Sequence, residues 1–340
     1  MKTRIMKNSG IAATDKPRMA RRTMLAAGLA AVALSGFVIA QPAQALDQLK
    51  IMAPAAPGGG WDSTARTMQT AIAKSGIVKN VQVTNVTGAG GTIGLASLVN
   101  NMKGDGSQLM VMGLVMVGAI LANKAPVTLE QTTPIARLTG EYELIVVPTN
   151  SKIKDMKDLV AELKKNPGAV SWGGGSAGGT DHILAGLIAK ASGVDPTKIN
   201  YIAHSGGGEA MANILSGKVT VGVAGYSEFA SQIQAKRLRA LAISAPTRVE
   251  GTDIPTLKEQ GVDVDLANWR AVVAPPGLND KQKKELVDVI DRMHKTPLWQ
   301  EALKKNDWAD LYLAGDEFGA FMKEEDKRVT EILKSIGLAK

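Results

Sequence analysis

The chain repeats one local unit four times: a short apolar strand, a glycine-rich turn, then an amphipathic helix. Residues 49–53 read as a strand, Pro57-Gly58-Gly59-Gly60-Trp61 as its turn, and 62–74 as a helix with Ala65, Met68 and Ile72 on one face. Residues 81–86 lead into Gly88-Ala89-Gly90-Gly91 and a helix through Met102. Further on, 169–172 lead into Gly173-Gly174-Gly175-Ser176-Ala177-Gly178-Gly179-Thr180 and a helix burying Ile183, Leu184, Leu187 and Ile188. Residues 199–203 lead into Ser205-Gly206-Gly207-Gly208 and a helix carrying Met211, Ile214 and Leu215. Strands alternating with helices of this length predict an α/β protein with parallel sheets covered on both faces. Two strands, 143–147 ending at Pro148 and 269–274 ending at Pro275-Pro276-Gly277, read as crossings between two such domains. The predicted division is a discontinuous first domain, 46–145 with 270–340, and a second domain, 146–269.

Each turn ends at a helix N-terminus, where the first N–H groups lack intrahelical partners and the helix carries about +0.5 elementary charge. Glycine allows close approach to that backbone. In an open α/β sheet these turns lie at the carboxyl edge of the strands, where ligands bind. Two turns from each domain facing one cleft predict a site rich in backbone donors, suited to an anion.

The first 45 residues carry seven of the 40 Lys and Arg but only one of the 32 Asp and Glu. An apolar run over residues 24–40 follows the basic segment, and Ala43-Gln44-Ala45 places small residues at a cleavage site. This predicts a secretory signal peptide removed after Ala45, leaving a soluble protein. Arg21-Arg22 adds a hint of the twin-arginine route. Removal leaves 33 basic and 31 acidic residues, so the basic balance of the whole chain belongs largely to the leader. Nothing in that balance supports a nucleic-acid surface. The absence of cysteine excludes disulfides, a thiol nucleophile and a lipidated N-terminus.

Other chemistries fit less well. Thr87-Gly88-Ala89-Gly90-Gly91-Thr92-Ile93-Gly94 follows a strand but lacks dinucleotide spacing, and the next strand ends at Gly113 where an acidic residue would be needed. No turn ends in Gly-Lys-Ser/Thr. Ser176, Asp181 and His182 lie close in sequence, yet no nucleophile-elbow motif surrounds the serine. The three histidines show no metal-binding spacing, and no cofactor is implied. His294 falls on a charged helix and reads as solvated; His204 reads as a cap or a cleft residue; for His182, ligand contact and structural hydrogen bonding both stand open. Trp172 reads as core, Trp61 as a wall of the pocket, and Trp269 as flanking the cleft. Arg66 follows Asp62 by four residues and reads as its ion-pair partner. Arg270, on a crossing strand, is open to either a cleft or a structural role.

Taken in order, Pro57-Gly58-Gly59-Gly60-Trp61-Asp62-Ser63-Thr64-Ala65-Arg66, then Gly88 to Gly94, resemble the substrate-binding receptors of tripartite tricarboxylate transporters. Ser176-Ala177-Gly178-Gly179-Thr180-Asp181-His182, Tyr201 to Glu209, Leu238 to Ile243, Ile254-Pro255-Thr256-Leu257 and Trp269 to Pro275 continue the resemblance over essentially the whole mature chain. It implies a type II periplasmic-binding-protein fold and two integral membrane partner subunits. A small carboxylate would be held largely by main-chain amides and ordered water. Contact roles carry over to Gly59, Gly60, Trp61, Gly90, Gly91, Ser176, Gly179, Thr180, His182 and Gly207. The Gly-Gly-Gly-Trp-Asp version is similar to receptors for citrate-like tricarboxylates, whereas Gly113-Leu114-Val115-Met116 makes one wall more apolar than in many relatives. A sensory adaptor that presents the liganded form to a membrane sensor, or an exported hydrolase acting through Ser176, are the alternative functions.

Overall fold

The strand–turn–helix units form where the hydrophobic pattern places them. The computed structural model describes residues 46–204 and 207–339; the leader, with its expected cleavage after Ala45, and Ser205 and Gly206 of the fourth turn lie outside the described residues. The chain opens with β1 (Gln48–Ala53), α1 (Gly60–Lys74), β2 (Asn80–Asn85), α2 (Thr92–Asn101), β3 (Gln108–Gly113) and α3 (Leu114–Ala122). A long strand, β4 (Thr133–Pro148), leads to α4 (Met156–Lys165), β5 (Ser171–Gly174), α5 (Thr180–Ala191), β6 (Asn200–Ala203) and α6 (Gly207–Leu215). Then come β7 (Val221–Gly225), α7 (Tyr226–Gln234), β8 (Leu238–Ile243) and β9 (Ala267–Ala274). The chain ends with α8 (Asp280–His294), α9 (Pro297–Lys305), β10 (Ala309–Ala314) and α10 (Gly315–Ser335).

Two sheets share β4. Its first part lies between β9 and β10, in a sheet that continues through β3 and β1 to β2; its second part lies between β8 and β7, in a sheet that continues through β5 to β6. The handover falls between adjacent residues: Tyr142 pairs with Ala267 of β9, and Glu143 with Gly225 of β7. The chain returns at the same level. Ser244 donates its N–H to the Glu143 carbonyl at 2.9 Å, and the Leu266 N–H donates to the Ser244 carbonyl at 3.0 Å, just before β9 begins. This is the two-domain α/β architecture, with β4 crossing between the sheets; the other strand expected to cross, β9, pairs only within the first sheet, and the chain returns through the segment that precedes it.

The sheets are mixed, where the sequence predicts parallel pairing throughout. The glycine-turn units are parallel, β1 to β2 and β3, and β5 to β6 and β7. The strands around the crossings, β4, β8, β9 and β10, pair antiparallel. A strand that passes directly from one sheet to the next needs no helical crossover, and a parallel neighbour would.

Apolar faces close the structure. Met68 and Ile72 of α1 pack with Leu286 and Ile290 of α8 and Trp299 of α9 beneath the first sheet. On its other face a second cluster runs from Leu95 and Leu98 of α2, through Leu114 and Met116 of α3, to Trp172, Ile183 and Leu184 of the second half. Each fully buried Leu or Ile contributes about 1.5–3 kcal/mol. Where α3 meets the turn before α5, the helix runs so close that a Cβ on Gly118 would strike the carbonyl of Gly178.

That obstacle is backbone and cannot rotate away. Gly118→Val is therefore expected to destabilise the protein by about 1–3 kcal/mol, read as a lowered urea midpoint. Gly168→Ala, whose added carbon would meet nothing nearer than 3.7 Å, should leave the midpoint unchanged.

Candidate functional site

Most of the helices begin in one of two ways; α10 follows Ala314 with no side-chain cap. At α4, α8 and α9 the side chains of Asp155, Asn279 and Thr296 accept a backbone N–H of the first turn. At α1, α2, α3, α5 and α7 the N-cap residue is Gly59, Gly91, Gly113, Gly179 or Gly225, and no side chain caps the helix. Each of these five follows β1, β2, β3, β5 or β7, so its free donors gather at the carboxyl edge of the sheets. Gly207 is the first residue of α6, which follows β6.

The first turn is held from beneath. Asp62, buried in α1, accepts the Gly58 N–H at 2.8 Å, Arg66 Nε at 2.9 Å and Asn85 Nδ2 at 2.8 Å. The Arg66 hydrogen bond leads the effects that hold its carboxyl at about 2 against the cost of burial. Arg66 is thus committed to Asp62, as its spacing predicts. In the second turn Ala89, Gly90 and Gly91 all take positive φ, at 49°, 62° and 89°, and the Gly91 N–H closes the turn on the Gly88 carbonyl at 2.9 Å. Trp61 covers it. A Cβ on Gly91 would lie 2.7 Å from Trp61 Cζ3, so the indole joins the first two turns rather than standing alone as a wall.

A cavity of about 770 Å³ opens in front of the first turn. Gly58, Gly59, Gly60 and Ser63 form one side, Met211 of α6 with Ser227 and Glu228 of α7 the opposite side, and residues 305–308 the rim. Glu141 of β4 and Arg270 of β9 make its floor. Arg270 donates Nη2 to Glu141 Oε2 at 2.6 Å, and Trp308 donates Nε1 to Glu141 Oε1 at 2.9 Å. The Arg270 side chain is only 8% exposed, yet its Nη1 has no hydrogen-bond partner. Gly60 is glycine because this guanidinium lies against it: a Cβ there would sit 2.7 Å from Arg270 Nη2.

In the second half the turn before α5 is braced on itself. Asp181 Oδ2 accepts the Gly175 N–H at 2.6 Å, Tyr201 donates its hydroxyl to the Gly175 carbonyl at 3.0 Å, and His182 Nδ1 accepts the Gly178 N–H at 3.3 Å. The His182 ring stacks on Tyr201 at 4.0 Å. Burial lowers His182 to about 4 and raises Asp181 to about 7, so the imidazole is neutral at neutral pH. Ser176 is exposed and shares no hydrogen bond with His182 among the described residues, while the buried Thr180 Oγ1 has no partner. His204 joins the Gly174 carbonyl at 3.0 Å to Asn213 Nδ2 at 2.9 Å, tying β5 to α6.

Of the sequence-predicted contacts, Gly59 and Gly60 line the cavity directly; Trp61, Gly90 and Gly91 form the adjoining shelf, and Ser176, Gly179, Thr180 and His182 belong to the α5 turn. His294 is not solvated as expected: it stacks on Tyr312 at 4.0 Å and its Nε2 bonds Asp310 at 2.9 Å. Trp172 is fully buried, and Trp269 is buried with Nε1 donating to Glu325 at 2.9 Å. Sequence reasoning missed Glu141, Glu228 and Trp308. Glu141 lies just before the predicted crossing strand, and no local motif links it to residues over a hundred positions away.

A second carboxylate layer lies under the floor. Glu143 is buried with neither oxygen partnered; burial first, then the carboxylates of Asp181, Glu141 and Glu228, hold it well above the ordinary range. Among the described residues, no group of three or more His, Asp or Glu is placed to hold a metal ion, and no helix is long and apolar enough to cross a membrane.

Known proteins share this architecture. A structure of the periplasmic binding protein BugD superposes with a TM-score of 0.72 at 23% identity, covering 86% of this chain and 98% of that one. MatC from Rhodopseudomonas palustris, with bound malate, gives 0.71 at 21% identity, covering 84% and 98%. Protein BugT of Bordetella pertussis is 28% identical over 319 residues, 92% of this chain and 94% of the relative. The sequence profile of the tripartite tricarboxylate transporter family receptor matches residues 64–338, and this chain is a member of that receptor family.

Proposed function

We propose that the protein is an exported receptor that captures a small carboxylate in its cleft, without chemistry, and presents it to two integral membrane subunits of a transporter. The observation that carries this reading is the set of five glycine-capped helices without side-chain caps, converging at the carboxyl edge of the sheets. Arg270 supports it, with its guanidinium lying against Gly60 at the same cavity. The malate held by the similarly folded MatC fits the same class of ligand. Di- and tricarboxylates, citrate among them, are the first candidates. The contact set is Gly59, Gly60, Trp61, Gly90, Gly91, Ser176, Gly179, Thr180, His182 and Gly207, to which we add Arg270.

We place the hinge where strand pairing changes, between Tyr142 and Glu143 and between Leu266 and Ala267, a few residues from the sequence-based boundaries. The leader would be removed after Ala45, releasing the receptor into the periplasm. Closure of the second half over the 770 Å³ cavity would bury the ligand.

A thermal-shift panel of organic acids tests the assignment. A ligand specific to the folded state adds about 2.7 kcal/mol at 100 times its dissociation constant, a rise in melting temperature of several degrees. No response to any carboxylate, with a clear response to a neutral sugar, would remove the reading.

Substitutions test the role of the first turn by calorimetry with the carboxylate that responds best. Gly60→Val sets bulk against Arg270 and the cavity, and should weaken binding at least about tenfold, or 1.4 kcal/mol. Arg66→Ala, which only loosens the Asp62 brace, should weaken it less. The reverse order in folded variants would make the site a side-chain ion pair with Arg66.

A further inference from the structure

Among the described residues three apolar cores fill the molecule, and they divide unevenly between its halves. The cluster beneath the first sheet, around Met68, Leu286 and Trp299, draws only on the first half, and the cluster around Val146, Ile214 and Phe229 only on the second. The third joins Leu98, Met116 and Leu333 of the first half to Leu159, Ile183 and Ile188 of the second. The 770 Å³ cavity opens elsewhere, between the α1 turn and the helices α6 and α7, and none of its lining residues belongs to this third core. The halves are thus fused along one face, through α3, α5 and α10, and parted along another.

Glycine marks the fused face at two points. One is the approach of Gly118 in α3 to the Gly178 carbonyl; at the other, a Cβ on Gly186 in the middle of α5 would strike Ile336 Cγ2. Glycine is disfavoured inside a helix, and here the space it leaves is filled by Ile336, the buried residue that follows α10. The chain beyond α10 is held by its own backbone. Gly337 takes a φ of 77° and donates its N–H to the Lys334 carbonyl at 3.1 Å, while the Leu338 N–H donates to the Leu333 carbonyl at 2.8 Å. This pair of bonds fixes the last turn and lays Leu338 and Ala339 against the shared core. A close-packed apolar core cannot part gradually without opening voids and exposing its surface to water. Small sliding of packed helices leaves it nearly intact. We propose that residues 336–339 are a strap that clamps α5 to the first half. The second half then swings about the seam of α3, α5 and α10 together with the hinge, and the cavity opens and closes on one side only.

The chain has no cysteine, so paired spin labels can be introduced without background. Lys190→Cys with Lys327→Cys spans the seam, and Ser227→Cys with Lys305→Cys spans the cavity; all four positions are exposed. Distances are read by pulsed electron resonance on protein freed of co-purified ligand by unfolding and refolding. The seam pair should give a single narrow distribution and the cavity pair a broader one. In a chain ending at Ser335, checked for native circular dichroism, the narrow seam distribution should be lost. Gly186→Ala should broaden it as well, and adding Ile336→Ala to Gly186→Ala, which relieves the clash, should narrow it again. A seam pair as broad as the cavity pair or broader would overturn the proposal. So would a shortened chain and a Gly186→Ala protein that both keep the narrow seam distribution. If the shortened chain fails to fold, Gly186→Ala decides alone. No ligand enters the test, so the carboxylate reading stands or falls apart from it.

Discussion

The buried ion pair between Glu141 and Arg270 holds the molecule's centre. Glu141 is the second-last residue of β4 before that strand changes sheets, and Arg270 lies on β9 just after the chain returns. Their 2.6 Å contact therefore joins the two crossings to each other. Removing one partner of such a pair costs about 3–5 kcal/mol, because the other charge is left buried alone. Trp308 adds a hydrogen bond to Glu141 and lies near the guanidinium, 5.3 Å from ring centroid to Cζ, which brings the C-terminal segment to the same point. Gly60 is constrained in turn, since the guanidinium fills the space where its side chain would be. Hinge, cavity floor and first glycine turn thus share one electrostatic anchor.

Around that anchor the protein divides its helix ends by task. Side-chain caps appear on α4, α8 and α9, whose work is to pack. Bare glycine caps appear where donors must stay available. Leaving a helix end without a side-chain cap costs about 0.5–2 kcal/mol where Ala replaces the capping residue, and only a few tenths where Gly does. Glycine at these positions keeps the donors open at little loss of stability.

The strand–turn–helix units were legible because each is local: apolar residues, glycines and the next amphipathic face lie within about 25 positions of one another. The hydrophobic pattern predicts the first helix over residues 62–74, and the helix in fact begins at Gly60, since glycine marks a turn whether or not it also starts a helix. The long crossing strand was legible only from Glu143 onward. Its first ten residues contain Pro134, Gly140 and Glu141, which break the strand pattern, and their pairing depends on β9 and β10, far along the chain. The anion-binding turns could be named from sequence for the same reason that the acidic floor could not. Glycines announce themselves in a row, whereas Glu141, Asp181, Glu228 and Arg270 meet only through the topology. His294 shows the same limit, as its charged neighbours gave no sign of Tyr312 and Asp310.

The continuity of β4 also shapes how such a receptor can diversify. One strand supplies the edge on which β9 and β10 pair and the edge on which β7 and β8 pair, so neither half has a complete sheet without it. Recombination that exchanged halves between relatives would have to splice within a strand and match two registers at once, or leave strand edges open to aggregation. The turns carry no such burden, since each is a short insert between finished elements. A lineage of these receptors can therefore explore new ligands by point substitution at the helix ends while inheriting the hinge whole.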